Sequence, residues 1–376
     1  MPPLIAFLQA VAQGRDDFDL STFDPVAFEW ALKAGLGPLL YHISRNSRNI
    51  DSFVRQYSSL LGADLTARVL TGVLLDALDE ILVTFSALTR DITLLKGISV
   101  CQRHYPEPHH RTMGDIDLLV PPELRPKLES LLMDLGYSQQ SEYPEEFFTT
   151  HHHSMPFFHP VRRVWVELHT ALFSSTATVS KDKVFSLENI EKNTVRIVQD
   201  GQQTNHLSDE LNIVYVCSHW AESFDRARGL IPLLDVLYTL KNKNAELDWD
   251  KILAWLKNSM ASTHLYLVLT FLQRQELISI SAEIMHKLSL AKKNMNKLNN
   301  RILHALIMTY FVRGKPFTHI TSETNVSIVW DTLLSPRAAT MNLVYIPWNL
   351  LFPPSNPKRM NPAFQLSRVR SALKRR

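Results

Sequence analysis

Two cysteines, Cys101 and Cys217, are all that the 376 residues contain, and neither has a second cysteine at CxxC spacing. That scarcity excludes a disulfide framework and a cysteine-rich zinc ribbon, and it fits a reducing cytoplasm. Neither sign of charge is in excess: 40 Lys and Arg stand against 37 Asp and Glu, a formal +3 with histidine neutral. So even a balance does not by itself point to nucleic acid. Long apolar runs are missing too. The longest stretches, Leu265–Leu272 and Leu343–Phe352, are interrupted by Thr270 and by Pro347 and Asn349. Both fall short of the ~18 apolar residues a membrane-spanning helix needs, so no membrane span is expected. The N-terminal stretch has no basic leader and meets acidic residues early, so no signal peptide is expected either. There is no internal repeat and no low-complexity tract. What is present is an ordinary globular mixture, 45% apolar and 20% charged, long enough for two or three domains.

Apolar periodicity divides the chain into four parts. Residues 1–90 read as an N-terminal helical region. Asp24-Pro25 opens one helix, and a long helix is expected from about Phe53 to Thr89 with Leu60, Leu74, Leu78 and Ile81 in its stripe. Residues 91–204 change character. A short strand at Ile92–Leu95 precedes a short helix over Gly97–His104. A strand follows at Gly114–Val120, then a helix opened by Pro121-Pro122 and ended by Gly136, and a hairpin of Phe147–Phe158 with Val164–His169. Residues 171–204 look irregular, with an edge strand at Thr194–Val198. Residues 205–312 read as a helical domain and 313–376 as an extended tail, basic from Pro357 onward. The fold class expected is α+β.

The chemistry concentrates between Leu94 and Val120. Asp115-Ile116-Asp117 sits on a strand whose side chains alternate faces, so both carboxylates point one way and Ile116 and Leu118 the other. Two like charges on one face, buried without a partner, would cost several kcal/mol each, and a divalent cation removes that cost. Upstream, Lys96-Gly97 ends a short strand: Gly lets backbone approach a phosphate and Lys neutralises it. Phosphate holder first and paired carboxylates second suggests phosphoryl or nucleotidyl transfer. A third carboxylate, Glu167, shares a strand face with Trp165 and His169.

These segments resemble the DNA-polymerase-beta-like nucleotidyltransferase superfamily. Within it, they are most similar to an uncharacterised bacterial nucleotidyltransferase family with LKG, R-x-x-G-D-I-D-L-L-V and V-E-L-H segments. Here the segments are Leu95-Lys96-Gly97, Arg111 to Val120 and Val166-Glu167-Leu168-His169. The resemblance implies a mixed-sheet catalytic core flanked by helices. It also implies transfer of a nucleoside monophosphate from an NTP, with ATP the first choice, to an acceptor, releasing pyrophosphate. Asp115, Asp117 and Glu167 would be the catalytic residues and hold two Mg²⁺ ions. Lys96, Gly97, Ser99 and Arg111 would bind the nucleotide, and His169 would stand behind the metal ligands. In this chain Ile98 follows Gly97, where many superfamily members carry Ser or Gly, and the small residue comes at Ser99.

Other classes fit part of the pattern. A glycosyltransferase could use Asp115-x-Asp117 for a nucleotide-sugar but gives no role to Lys96-Gly97 or Glu167. A toxin-like nucleotidyltransferase acting on tRNA would need a cationic track, for which His109, His110, Arg111, Arg162 and Arg163 offer only a local patch. A non-catalytic nucleotide-binding or partner-binding module is the third. The acceptor is therefore expected to be a small molecule, a sugar-type intermediate or a peptide or protein group, with nucleic acid less favoured. His151-His152-His153, His104, His109, His110 and His159 lack any zinc-ligand spacing. His219 and Asp235 match polar positions the resembled family tends to carry, with core hydrogen bonding the simpler role, and the basic tail reads as solvated.

Overall fold

The structure, a computed structural model, describes residues 2–47, 54–86, 88–142, 148, 151–199, 202–222, 230–293, 295–312 and 323–334. The chain is α+β, with 14 α-helices and a seven-stranded mixed sheet among the described residues. The strands are β1 (Thr93–Leu94), β2 (Asp115–Leu119), β3 (Ser138–Gln139), β4 (Phe157–His159), β5 (Val164–His169), β6 (Thr194–Gln199) and β7 (Gln202–Leu207). Their order across the sheet is β3-β4-β5-β2-β1-β7-β6. The helices before the sheet are α1 (Pro3–Gln13), α2 (Pro25–Lys33), α3 (Gly37–Ser44) and α4 (Val54–Thr84). Within it come α5 (Lys96–His104), α6 (Arg125–Asp134) and α7 (Leu187–Lys192). After it follow α8 (Asp209–Glu222), α9 (Ile231–Lys243), α10 (Trp249–Trp255), α11 (Ala261–Arg274), α12 (Ala282–Ala291), α13 (Lys297–Leu306) and α14 (Glu323–Leu334).

The alternation in β2 and β5 separates the two sheet faces. Ile116, Leu118, Val166 and Leu168 are buried with Leu74, Ala77, Leu78 and Ile81 of α4 and Leu128 and Leu132 of α6. The opposite face carries the carboxylates. A second core joins α1–α3 to the helices after the sheet, through Leu4, Leu8, Leu39, Leu211, Leu234 and Leu265 among others. Lys241 of α9 donates to the Val11 carbonyl at the end of α1 at 2.9 Å. The N-terminal helices therefore pack on both the sheet and the C-terminal helices.

Several local expectations meet a different outcome. The β4–β5 hairpin forms over Phe157–His159, with a further antiparallel bridge between His153 and His169, while residues 147, 149 and 150 lie outside the described residues. The polar stretch Gln202–Leu207 is a strand, pairing antiparallel with β6 and parallel with β1. Residues 323–334, expected to be extended, form α14, whose buried Trp330 donates to the Ala221 carbonyl at 2.8 Å. The tail's basic part, 357–376, and the apolar stretch 343–352 lie outside the described residues. Among the described residues α4 is long and apolar enough to cross a membrane by length and composition. Its Asp64 and Glu80 pair with His109 and Arg162, and Ala77, Leu78 and Ile81 are buried, while Leu65, Val69, Leu70 and Val83 are exposed.

Candidate active site

Parallel pairing of β2 with β5 sets Asp115 opposite Trp165 and Asp117 opposite Glu167. Side chains at paired positions of neighbouring strands share a face, so three carboxylates converge on one patch of sheet. Lys96 reaches that patch from the start of α5: Leu95 donates to the Asp117 carbonyl at 3.0 Å, and the next residue turns into the helix. Lys96 makes this turn at φ +46°, a left-handed conformation that costs a residue with a Cβ on the order of 1 kcal/mol or more.

Asp117 is the fully buried member of the group. The Lys96 Nζ lies 2.8 Å and the His169 Nε2 2.7 Å from its Oδ1. Burial alone would raise its pKa, but Lys96 and His169 outweigh burial and hold the carboxyl well below the usual range. Asp115 moves the other way: the neighbouring Asp117 charge, and then burial, push it up to about 6. Glu167 is opposed by burial yet lowered by His169, whose Nε2 stands 3.4 Å from its Oε2. His169 has no exposed surface. Burial and Lys96 disfavour its charged form, but its two carboxylate partners win and its pKa is raised. Burial likewise works against the Lys96 ammonium, and Asp117 overcomes it, so Lys96 stays protonated.

A divalent cation fits this arrangement. Donor atoms of Asp117, Glu167 and His169 lie within 4.8 Å of one another. One imidazole nitrogen serves two carboxylates, and the Lys96 ammonium is bonded to Asp117 rather than to Asp115, so the patch is short of positive charge. Three carboxylates offer the oxygen donors a hard ion such as Mg²⁺ prefers, and the His169 nitrogen fits better as their hydrogen-bond partner.

The remaining nucleotide-site candidates are placed differently. Arg111 is bonded to a different carboxylate, although its charge still reaches Asp115. Its Nη2 and Nε engage Asp235 of α9 at 2.9 and 3.3 Å, and the Tyr105 hydroxyl donates to the same carboxylate at 2.7 Å. Its fork is thus already occupied within the protein, and Asp235 has the core hydrogen-bonding role expected of it. Gly97 makes room for that guanidinium: a Cβ there would collide with Arg111 Nη1 and stand 3.1 Å from Met113 Cβ. Ser99 is buried, with its hydroxyl 2.9 Å from His206 Nδ1 of β7.

Three groups that the sequence analysis passed over or set aside also border the site. Tyr215 and His219, one turn apart on α8, both feel the charges of Lys96, Asp117 and Glu167. The Tyr215 hydroxyl is buried without a hydrogen-bond partner among the described residues. Burial, and then Lys96, push His219 down to about 3, so it is neutral. Helical spacing of Tyr215 and His219 was the signal that could have joined them. The third group is the histidine triplet. His153 donates from Nδ1 to the Ser154 carbonyl at 2.7 Å, which leaves its Nε2, 3.9 Å from Glu167 Oε2, as the basic nitrogen. The His152 ring packs 5.2 Å from His169. Beside Asp115, the half-buried ring of Trp165 stacks on Phe158 at 4.6 Å.

Residues 25–275 match the model of a family described as uncharacterised nucleotidyltransferase, and this span covers more than half of the chain and every residue of the carboxylate patch. Neither a curated protein nor a solved structure matches. The chain therefore belongs to this uncharacterised nucleotidyltransferase family and is a transferase enzyme.

Proposed function

We propose that the enzyme moves a nucleoside monophosphate from an NTP, ATP in the first instance, to an acceptor nucleophile, and that Asp115, Asp117 and Glu167 are its catalytic residues. The observation that carries this reading is the pairing of Asp117 with Glu167 across β2 and β5, with Asp115 on the same face. Two Mg²⁺ ions held by these carboxylates would supply Lewis-acid stabilisation of the phosphate charge and a more acidic acceptor group. Glu167, at the edge of the patch, takes the acceptor proton as the acceptor attacks the α-phosphorus. The bond from that phosphorus to the bridging oxygen breaks, and pyrophosphate leaves with the bonding electrons. Lys96, which holds Asp117 in the substrate-free site, would turn to the triphosphate, with the first-turn amides of α5 at Gly97 beside it. Arg111, through Asp235, positions α5 rather than touching phosphate, and Ser99 supports the same helix through His206.

The acceptor side lies toward Trp165, Tyr215 and His219. A ring face, a hydroxyl without a partner and a neutral imidazole suit a small polar molecule, a sugar-type group or a peptide or protein side chain better than a polyanion. A cytoplasmic setting provides the NTP and agrees with two free, buried thiols. The test is incubation with each NTP labelled at the α-phosphorus, Mg²⁺ and a cell extract. Label should pass to one acceptor fraction with wild type and to none with Asp117→Asn. Consumption of a nucleotide-sugar instead, with release of a nucleoside diphosphate, would refute nucleotidyl transfer.

A further inference from the structure

A second cluster of ligating side chains lies where α4 meets the loop between α5 and β2. Pro108 opens a short 3₁₀ turn, Pro108–His110, that turns His109 and His110 inward, and α4 presents Asp64 to them. All three are buried, Asp64 and His110 to 1% exposure. The Asp64 Oδ1 is 3.0 Å from His109 Nε2, and its Oδ2 accepts from Arg68 Nε at 2.7 Å. His110 is the anomaly. Neither of its ring nitrogens has a hydrogen-bond partner among the described residues, although leaving a buried polar group unsatisfied costs on the order of 1–3 kcal/mol. Its ring is held at 4.4 Å between those of His109 and His42.

One donor atom each from Asp64, His109 and His110 lies within 4.8 Å of the other two. Two ligands about 2.1 Å from a shared ion stand at most about 4.2 Å apart, so a small inward turn of one side chain completes a site. We propose that Asp64, His109 and His110 bind a divalent transition ion of the zinc class, separate from the carboxylate patch, that fastens α4 to the loop carrying Arg111. Two imidazoles and one carboxylate are a borderline-soft donor set. It suits Zn²⁺, and Co²⁺ as its spectroscopic substitute, over Mg²⁺, which takes oxygen. Burial pushes His110 down to about 3 and lowers His109, so both imidazoles are neutral and offer lone pairs at pH 7. The ion takes the place of the proton shared by His109 and Asp64. Arg68 keeps the outer carboxylate oxygen, the arrangement by which hydrogen-bonded partners orient metal ligands. Arg45 and Arg68 oppose a cation here and Asp16 and Glu107 favour it, so the bond to the imidazoles has to provide the affinity.

The site also gives the loop a purpose. Thr112, next to Arg111, donates to the Gly35 carbonyl at 3.2 Å. With His109 and His110 clamped to α4, both sides of Arg111 are fixed, and with them its bond to Asp235. The experiment strips the full-length protein with a chelator and then titrates it with Zn²⁺ and with Co²⁺. Wild type and the Asp117→Asn/Glu167→Gln variant should each bind one zinc tightly, gain thermal stability and give Co²⁺ bands of nitrogen coordination. His110→Gln, which preserves bulk, should weaken zinc at least about tenfold, and His109→Ala/His110→Ala should abolish the Co²⁺ bands. If the double variant does not fold, His110→Gln and the wild-type spectrum decide. No zinc binding by wild type, unchanged affinity in His110→Gln, or loss of binding in His151→Ala/His152→Ala/His153→Ala would each overturn the proposal.

Discussion

The Tyr215 hydroxyl is buried beside the carboxylates with no hydrogen-bond partner among the described residues, and a residue in that state has a cost that substitution can measure. Tyr215→Phe should leave the substrate-free enzyme as stable or up to about 1 kcal/mol more stable, while raising KM for the acceptor. Unchanged kinetics with unchanged stability would remove Tyr215 from the site. Asp115 makes the same point electrostatically. Its carboxyl is raised to about 6 from 3.8, so its charge opposes folding at neutral pH when no cation is bound. Asp115→Asn should therefore stabilise the chelator-treated protein at pH 8, on the order of 1–3 kcal/mol. The gain should shrink as the pH falls from 6 to 3.8 and vanish below 3.8, where the carboxyl is protonated in both states. Turnover should be lost in the same variant. Glu167→Gln separates the roles further: kcat should fall by about 10²–10⁴ with little change in KM for NTP.

Among the elements, α5 is the one whose start the site depends on. Gly97→Ala pushes a methyl against the Arg111 guanidinium, and because Arg111 is tied to Asp235 it cannot simply move aside. The expected loss is on the order of 1–3 kcal/mol, read from the midpoint of urea unfolding, with an accompanying fall in activity. β2, β5 and α5 were legible in the sequence because each carries its own local pattern: alternation in Asp115–Leu119 and Val164–His169, and an apolar strand ending in Lys-Gly. β7 was not, because Gln202–Leu207 is polar almost throughout. It is a strand because its buried polar groups find partners there, Asn205 at the Ile92 carbonyl and His206 at Ser99. The bond from Arg111 to Asp235 joins residues 124 apart, and nothing local announces a contact of that range. The same holds for Asp64 with His109. In α14 the helix was hidden by neighbouring turn residues, and Trp330 with its bond to Ala221 anchors it.

For the whole molecule, buried neutral histidines set the response to acid. His206 and His264 are almost fully buried, and burial above all lowers each to about 3 from 6.5. The unfolded chain takes up these protons below pH 6.5 and the folded one does not, so stability is complete above 6.5 and falls as the pH drops toward 3. Between pH 6.5 and 5 each contributes a loss of about 1–2 kcal/mol. Urea unfolding at the two pH values should show it, and His264→Gln should flatten the dependence.

The central claim is that this sheet face transfers the α-phosphoryl group of an NTP together with its nucleoside. It is tested most directly by running ATP labelled at the α-phosphorus and ATP labelled at the γ-phosphorus in parallel, with Mg²⁺, cell extract and wild-type or Asp117→Asn enzyme. Wild type should leave α-label on the acceptor and γ-label in pyrophosphate, and Asp117→Asn should do neither. Transfer of γ-label to the acceptor, or equal transfer of α-label by the Asp117→Asn enzyme, would contradict it.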